Sequence, residues 1–166
     1  MIYAPILIPT LCRSEHLIRC IESLKQNGWA KYTDIYIALD YPAKESHWEG
    51  YKKIEEYLQG SFSEFAGFYV IKRNENYGSV RNMKELRDMI LKKYDRFIRI
   101  DDDCELSPNF LEYMDRCLEM YEDDKDVIAV TGYSFPINWS VSDEANIFKS
   151  KIHFSMWGTG FWRNKF

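Results

Sequence analysis

The chain has 166 residues, of which 46% are hydrophobic and 16% aromatic, and it carries a formal net charge of −4. That length suits one domain with a sizeable core, and the apolar content excludes a disordered chain. The negative balance argues against a nucleic-acid binder that depends on neutralising phosphates.

Ala4 to Ile8, bounded by Pro9-Thr10, reads as a first buried strand. No basic leader or cleavage pattern precedes it, and no stretch reaches membrane-spanning length. Cys12, Cys20, Cys104 and Cys117 form no CxxC pair and no zinc spacing, as reduced thiols would. A soluble, cytoplasmic protein is the expectation. Ser14 is placed as the N-cap of a first helix with Leu17, Ile18, Ile21 and Leu24 on its apolar stripe and Gly28 as its stop.

Residues 34–40 predict a second strand ending in Asp40. A capping box from Ser46 to Glu49 opens a helix that carries Trp48, Tyr51, Ile54 and Leu58 and stops at Gly60. Residues 68–72 predict a third strand. Ser79 is placed as the cap of a helix with Val80, Met83, Leu86 and Ile90 on one face. A fourth strand over 97–101 leads to Ser107-Pro108, which opens a helix with Phe110, Leu111, Met114, Cys117, Leu118 and Tyr121 on its stripe. Residues 127–132 predict a fifth strand, followed by an irregular aromatic tail. Alternation of this kind predicts parallel βαβ units with helices on both sheet faces.

The fourth strand ends in Asp101-Asp102-Asp103, and ligands of open α/β sheets bind beyond the carboxyl ends of strands. Like charges this close repel by about 1–4 kcal/mol per pair at intermediate dielectric, so a cation should offset them. A hard divalent ion with oxygen ligands fits; a solvated acidic turn is the competing reading. Extended alternation would point Asp101 and Asp103 to one side and Asp102 to the other. Asp40 is either an acceptor for a nucleobase N–H or ribose hydroxyl at the same rim, or a turn residue before Tyr41-Pro42. Arg13 follows the first strand. Arg81, in the first turn of a helix, opposes the helix dipole; it either calls for an anionic partner, a phosphate or a carboxylate of the triplet, or is a surface arginine snorkelling along its helix. Gly158-Thr159-Gly160 could admit a ligand close to the backbone or form a plain turn. His16 and His47 read as surface residues, and His153 is kept as a candidate ligand. There is no G-x-G-x-x-G after the first strand and no Walker A sequence, which excludes the common dinucleotide and P-loop sites.

In this order, Pro5-Ile6-Leu7-Ile8-Pro9-Thr10 with Arg13, Asp40, Asn76-x-Gly78 with Arg81-Asn82, and the acidic triplet resemble a GT-A glycosyltransferase of the family 2 type. Ile100 to Phe110 is especially similar to bacterial relatives of N-acetylglucosaminyltransferase I, and the tail Trp157-Gly158-Thr159-Gly160-Phe161-Trp162-Arg163 resembles their Trp-Gly-x-x-x-Trp-Arg/Lys segment. The resemblance implies a nucleotide-diphospho-sugar transferase fold: α/β, a mainly parallel sheet with helices on both faces, one domain over residues 1–166, truncated at its C-terminus. It implies transfer of a sugar from a UDP- or GDP-linked donor to a glycan or other hydroxyl acceptor. Asp103 would be the direct ligand of Mn²⁺ or Mg²⁺. Thr10, Arg13, Asp40, Arg81, Asp101, Asp102 and Gly158 would line the nucleotide-sugar site, with Arg13 and Asp40 reading the nucleotide.

No side chain stands out as the catalytic base. Peripheral membrane association through a lipid-linked acceptor is compatible with this reading. Two alternatives stay open: a donor-binding fragment without turnover, and a nucleotidyltransferase, although Thr10-Leu11-Cys12-Arg13-Ser14 is not the Gly-rich basic loop the latter wants.

Overall fold

The computed structural model describes residues 2–136, 147–152 and 154–165; His153 lies outside them. Six strands form one sheet: β1 (Ile6–Thr10), β2 (Asp34–Leu39), β3 (Gly67–Lys72), β4 (Arg96–Arg99), β5 (Val130–Thr131) and β6 (Thr159–Trp162). Their order is β3-β2-β1-β4-β6-β5. β1 to β4 are mutually parallel, and β6 runs antiparallel to both β4 and β5. Helices α1 (Ser14–Lys25), α2 (Trp48–Tyr57), α3 (Gly78–Ile90) and α4 (Phe110–Met120) cover the sheet.

Strand alternation divides the core. Ile6, Ile8, Ile35, Ile37 and Leu39 point into a cluster with the apolar stripes of α1, α2 and α4. Leu7, Tyr36 and Ala38 point the other way, onto Met83, Leu86 and Ile90 of α3. The expected architecture is therefore present, with helices on both faces.

Two differences have physical causes. The predicted strand over 127–132 shrinks to Val130–Thr131, and it does not lie beside β4. β6 separates them because adjacent Phe161 and Trp162 can each fill a different core. Phe161 packs on Phe97 at 5.5 Å between centroids, on the α3 side. Trp162 is buried on the other side, its indole N–H donating to the Leu118 carbonyl at 3.0 Å. An antiparallel partner is reached by a returning chain, with no helical crossover needed.

The second difference concerns helix starts. Ser14 is the first residue of α1, Ser79 lies inside α3, and α4 begins at Phe110; none of the four α-helices has a side-chain cap from its own flanking residue. For α3 and α4, the amide donors are taken by residues from other elements. Asp40 holds the start of α3, and the Asn27 side-chain oxygen accepts from the Leu111 amide at 3.0 Å.

Candidate active site

Thr10 ends β1, Asp40 follows β2 and the acidic triplet follows β4. These strands are parallel neighbours, so the three positions emerge at one rim. The Asp40 amide donates to the Thr10 carbonyl at 2.9 Å and ties the first two together.

Between β4 and α4 the chain turns at once. The Cys104 amide donates to the Asp101 carbonyl at 3.1 Å, and this turn overrides the extended alternation expected of the triplet. Asp101 and Asp103 do not act as a pair. Asp101 pairs with Arg99 at 3.0 Å, while Asp102 and Asp103 both face Arg13. Arg13 Nη1 donates to Asp103 Oδ2 at 2.7 Å, and Nη2 donates to Asp102 Oδ1. The Thr10 hydroxyl donates to Asp102 Oδ2 at 2.7 Å. The predicted counter-charge is thus partly supplied by the protein itself.

Asp102 and Asp103 differ in environment. Asp102 is 3% exposed, and burial pushes its carboxyl above the usual range, opposed by the Thr10 hydrogen bond and Arg13 and reinforced by Asp103. The Asp103 side chain is 38% exposed. Only its Oδ2 is hydrogen-bonded, leaving Oδ1 without a partner among the described residues.

Asp40 is buried and its acceptor capacity is filled. Oδ1 accepts from the amides of Tyr41 at 2.9 Å and Tyr77 at 2.8 Å. Oδ2 accepts from the Gly78 amide at 2.8 Å and from Asn76 Nδ2 at 3.3 Å. A carboxylate at the N-terminus of α3 also complements the helix dipole. Arg81 finds the anion it called for, but locally: Glu75 and Glu85, each at 3.0 Å, with its guanidinium 3.6 Å from the Tyr77 ring centroid. It reaches neither the triplet nor Arg13 in the described contacts.

Gly158 is buried at φ +67°, and the ring of Phe110 occupies the space above it. A Cβ there would lie 2.8 Å from Phe110 Cε2, and one at Gly132 would lie 2.5 Å away. The close approach these glycines permit is to Phe110, which wedges beneath the Gly132 amide to Gly158 carbonyl bond of 2.8 Å.

Beyond Asp103, on the β6-β5 side, lies a cleft of about 660 Å³. It is lined by Asp103, Glu105, Phe110, Tyr133 and Trp157, together with His16 and Arg19 of α1. Sequence reasoning missed Tyr133 as part of the rim, and it missed Asn27 and Asn82 as buried supports. Asn82 donates to the Ala38 carbonyl at 2.9 Å and accepts from Arg73 Nε at 2.9 Å. Only the Asn76-x-Gly78…Arg81-Asn82 pattern signalled any of them. Among the described residues, no three His, Cys, Asp or Glu side chains are arranged to hold a metal by themselves, and no helix is long and apolar enough to cross a membrane.

The model of glycosyl transferase family 2 matches residues 6–162, from the first strand to the last. The chain belongs to that family. No curated protein matches it significantly. Among solved structures, it resembles the mannosyltransferase PcManGT from Pyrobaculum calidifontis in complex with GDP-Man and Mn²⁺, with TM-score 0.57 and 11% identity, covering 81% of this chain and 36% of that one. It also resembles S. aureus TarS, with TM-score 0.51 and 14% identity, covering 72% of this chain and 20% of that one. A TarS 1–349 structure gives TM-score 0.52 at 14% identity, covering 72% and 33%. This family 2 chain therefore spans between a fifth and about a third of the length of these structural neighbours, which share its GT-A fold.

Proposed function

We propose that this family 2 domain, residues 1–166, binds a nucleotide-diphosphate sugar and serves transfer of the glycosyl group to a hydroxyl acceptor. The observation that carries the reading is the Thr10–Asp102–Arg13–Asp103 constellation, a graded acidic site held at the carboxyl ends of adjacent parallel strands. Thr10 and Arg13 fix Asp102, so the turn that presents Asp103 is pre-organised. Arg13, with a half-exposed side chain, is placed to share its guanidinium with a diphosphate oxygen. Asp40 shapes the nucleotide end by pinning the loop 76–78 against the end of β2.

A divalent ion, Mn²⁺ or Mg²⁺, fits this donor set in one way. Asp103 Oδ1 would supply one hard oxygen, and the diphosphate and water would supply the rest, as Mg²⁺ sites built on one or two carboxylates do. When bound, the ion neutralises charge on the departing diphosphate. That one structural neighbour holds GDP-Man and Mn²⁺ supports this cofactor and donor class. The Asp101–Asp103 triplet, the resemblance to bacterial relatives of N-acetylglucosaminyltransferase I, a cytoplasmic site of action and a glycan or lipid-linked acceptor belong to the same reading.

Calorimetry with UDP and GDP, each with Mn²⁺ or EDTA, tests it. One nucleotide should bind more tightly with metal, and Asp103→Asn should lose at least tenfold of that gain, about 1.4 kcal/mol. Equal affinity in metal and chelator would leave the triplet as a solvated acidic turn. Metal-coupled binding without sugar transfer would restrict the chain to donor binding.

A further inference from the structure

The loop that carries Arg13 touches a second element, α2. Gly50 stands in the first turn of that helix. A Cβ there would overlap the Cys12 carbonyl oxygen and lie 2.9 Å from Cys12 C and 3.3 Å from Cys12 Cα. All three atoms belong to the main chain that enters Arg13. Glycine is a poor helix residue beside alanine. At position 50 its missing side chain is what lets α2 and the loop meet. Carbon atoms settle about 3.5–4.0 Å apart, so any side chain at 50 must part the two backbones by about 1 Å.

The partners of this contact are not equally firm. α2 is anchored by buried Tyr51 and Ile54. Its Trp48 ring meets Tyr41 and Tyr51 edge-to-face, at 5.5 and 5.7 Å between centroids. Tyr41 follows Asp40, and its carbonyl accepts from Asn76 Nδ2 at 2.6 Å, so the start of α2 is tied to the Asp40 end of the rim. Leu11 and Cys12 form bends between β1 and α1 and are only half-buried. On the α1 side, the Leu17 amide donates to the Arg13 carbonyl at 3.0 Å. α2 therefore sets where the Cys12–Arg13 peptide lies, and from that point the guanidinium must reach both Asp102 and Asp103. A functional constellation tolerates about 0.5 Å of misplacement, less than a side chain at 50 would impose.

We propose that Gly50 is a positioning residue for Arg13: its close contact with the Cys12 carbonyl fixes the loop from which Arg13 bridges Asp102 and Asp103. Gly50 deepens the proposed function. Its effect on donor binding rests on that reading; its hold on Arg13 rests on the contact alone. A backbone displaced at Cys12 would draw the guanidinium away from its carboxylates, and the turn that presents Asp103 would lose its tie. The Asp40 end, held by its own four N–H donors, would stay in place.

The test uses the whole chain with Gly50→Ala, Arg13→Gln, the double variant, and Glu49→Ala as a control in the same helical turn. Thermal unfolding confirms that each folds. In the ligand-free protein, NMR of the arginine Nη–H groups reads the bridge, with the Arg13 signals assigned by their absence in Arg13→Gln. A guanidinium gripped by two carboxylates rotates slowly and gives resolved signals. We expect them resolved in the parent and in Glu49→Ala, and merged in Gly50→Ala. Calorimetry with UDP and GDP, each with Mn²⁺ or EDTA, should show Gly50→Ala losing about fivefold or more of the metal-coupled gain, with affinity in EDTA unchanged. In the Arg13→Gln background, Gly50→Ala should cost less than about twofold more. Arg13 signals unresolved in the parent or still resolved in Gly50→Ala, an equal loss in EDTA, or the same loss with and without Arg13 each overturns the positioning role. If Gly50→Ala does not fold, Trp48→Phe loosens the first turn of α2 without a clash: Arg13 signals that merge there support the contact, and unchanged ones overturn it. A parent chain with equal nucleotide affinity in metal and chelator sinks the proposed function, and the Arg13 signals then decide the role of Gly50 by themselves.

Discussion

Replacing Asp40 separates its structural work from any contact with a nucleotide. Its two oxygens take four N–H donors from Tyr41, Asn76, Tyr77 and Gly78, joining the end of β2 to the start of α3. In Asp40→Asn one oxygen becomes an NH₂ group that faces two donors and accepts from neither. Each partly buried donor left unpaired costs about 1–3 kcal/mol, and the carboxylate's interaction with the helix N-terminus adds about 0.3–1 kcal/mol. Because residues 76–78 are not fully buried, the lower part of that range applies, and the expected loss is about 2–4 kcal/mol. For a chain of this length that is a fall of about 4–16 °C in Tm. Urea unfolding of the ligand-free protein measures it, and hydrogen exchange of the Tyr77 and Gly78 amides should speed up locally. A loss below about 0.5 kcal/mol, with those amides still protected, would refute the reasoning and return Asp40 to a ligand role alone.

Two further expectations concern buried positions of the fold. Asp115 of α4 is fully buried; its Oδ1 accepts from the Ala4 amide at 2.9 Å, its Oδ2 has no partner among the described residues, and burial pushes the carboxyl up to about 7. The folded state therefore holds a proton that the unfolded chain releases, so this group makes stability fall as pH rises from about 4 to 7, by at most about 1.4 kcal/mol per unit. Asp115→Asn should remove that slope, seen as a stability difference from the parent protein that grows in urea unfolding between pH 5 and 8; parallel curves would contradict it. Gly158→Ala meets both the positive φ and the Phe110 ring, about 1–2 kcal/mol for the backbone and about 1–3 kcal/mol for overpacking. In a double-mutant cycle Phe110→Leu should recover the packing part but not the backbone part. Strict additivity would show that the ring is not what fills that space.

The order of strands and helices was legible in the sequence because each signal is local. Ile6, Ile8, Ile35 and Ile37 alternate with residues of the opposite face, and Leu17, Ile21 and Leu24 recur at helical spacing, so burial periodicity is written within a few residues. Membership of the rim was legible for the same reason: Thr10, Asp40 and the triplet each stand at the end of a recognisable apolar run. What these residues do there was not. The turn after Ile100 depends on the Asp101 carbonyl being free to accept from Cys104, and it sends Asp102, not Asp101, to Arg13, which lies about ninety positions earlier in the chain.

Tertiary structure alone decided the rest, because the partners come from distant parts of the chain. Local serines were placed as caps for α3 and α4, whereas Asp40 and Asn27 meet those helix starts across the fold. The sixth strand is hidden because Thr159–Trp162 has too few residues for a period, and its place beside β4 depends on two cores accepting Phe161 and Trp162 at once. Gly158 reads either as room for a ligand or as a plain turn, and only the packing shows the Phe110 ring set against it. Periodicity records which face of an element is buried; it carries no record of which distant side chain completes the hydrogen bond or fills the gap.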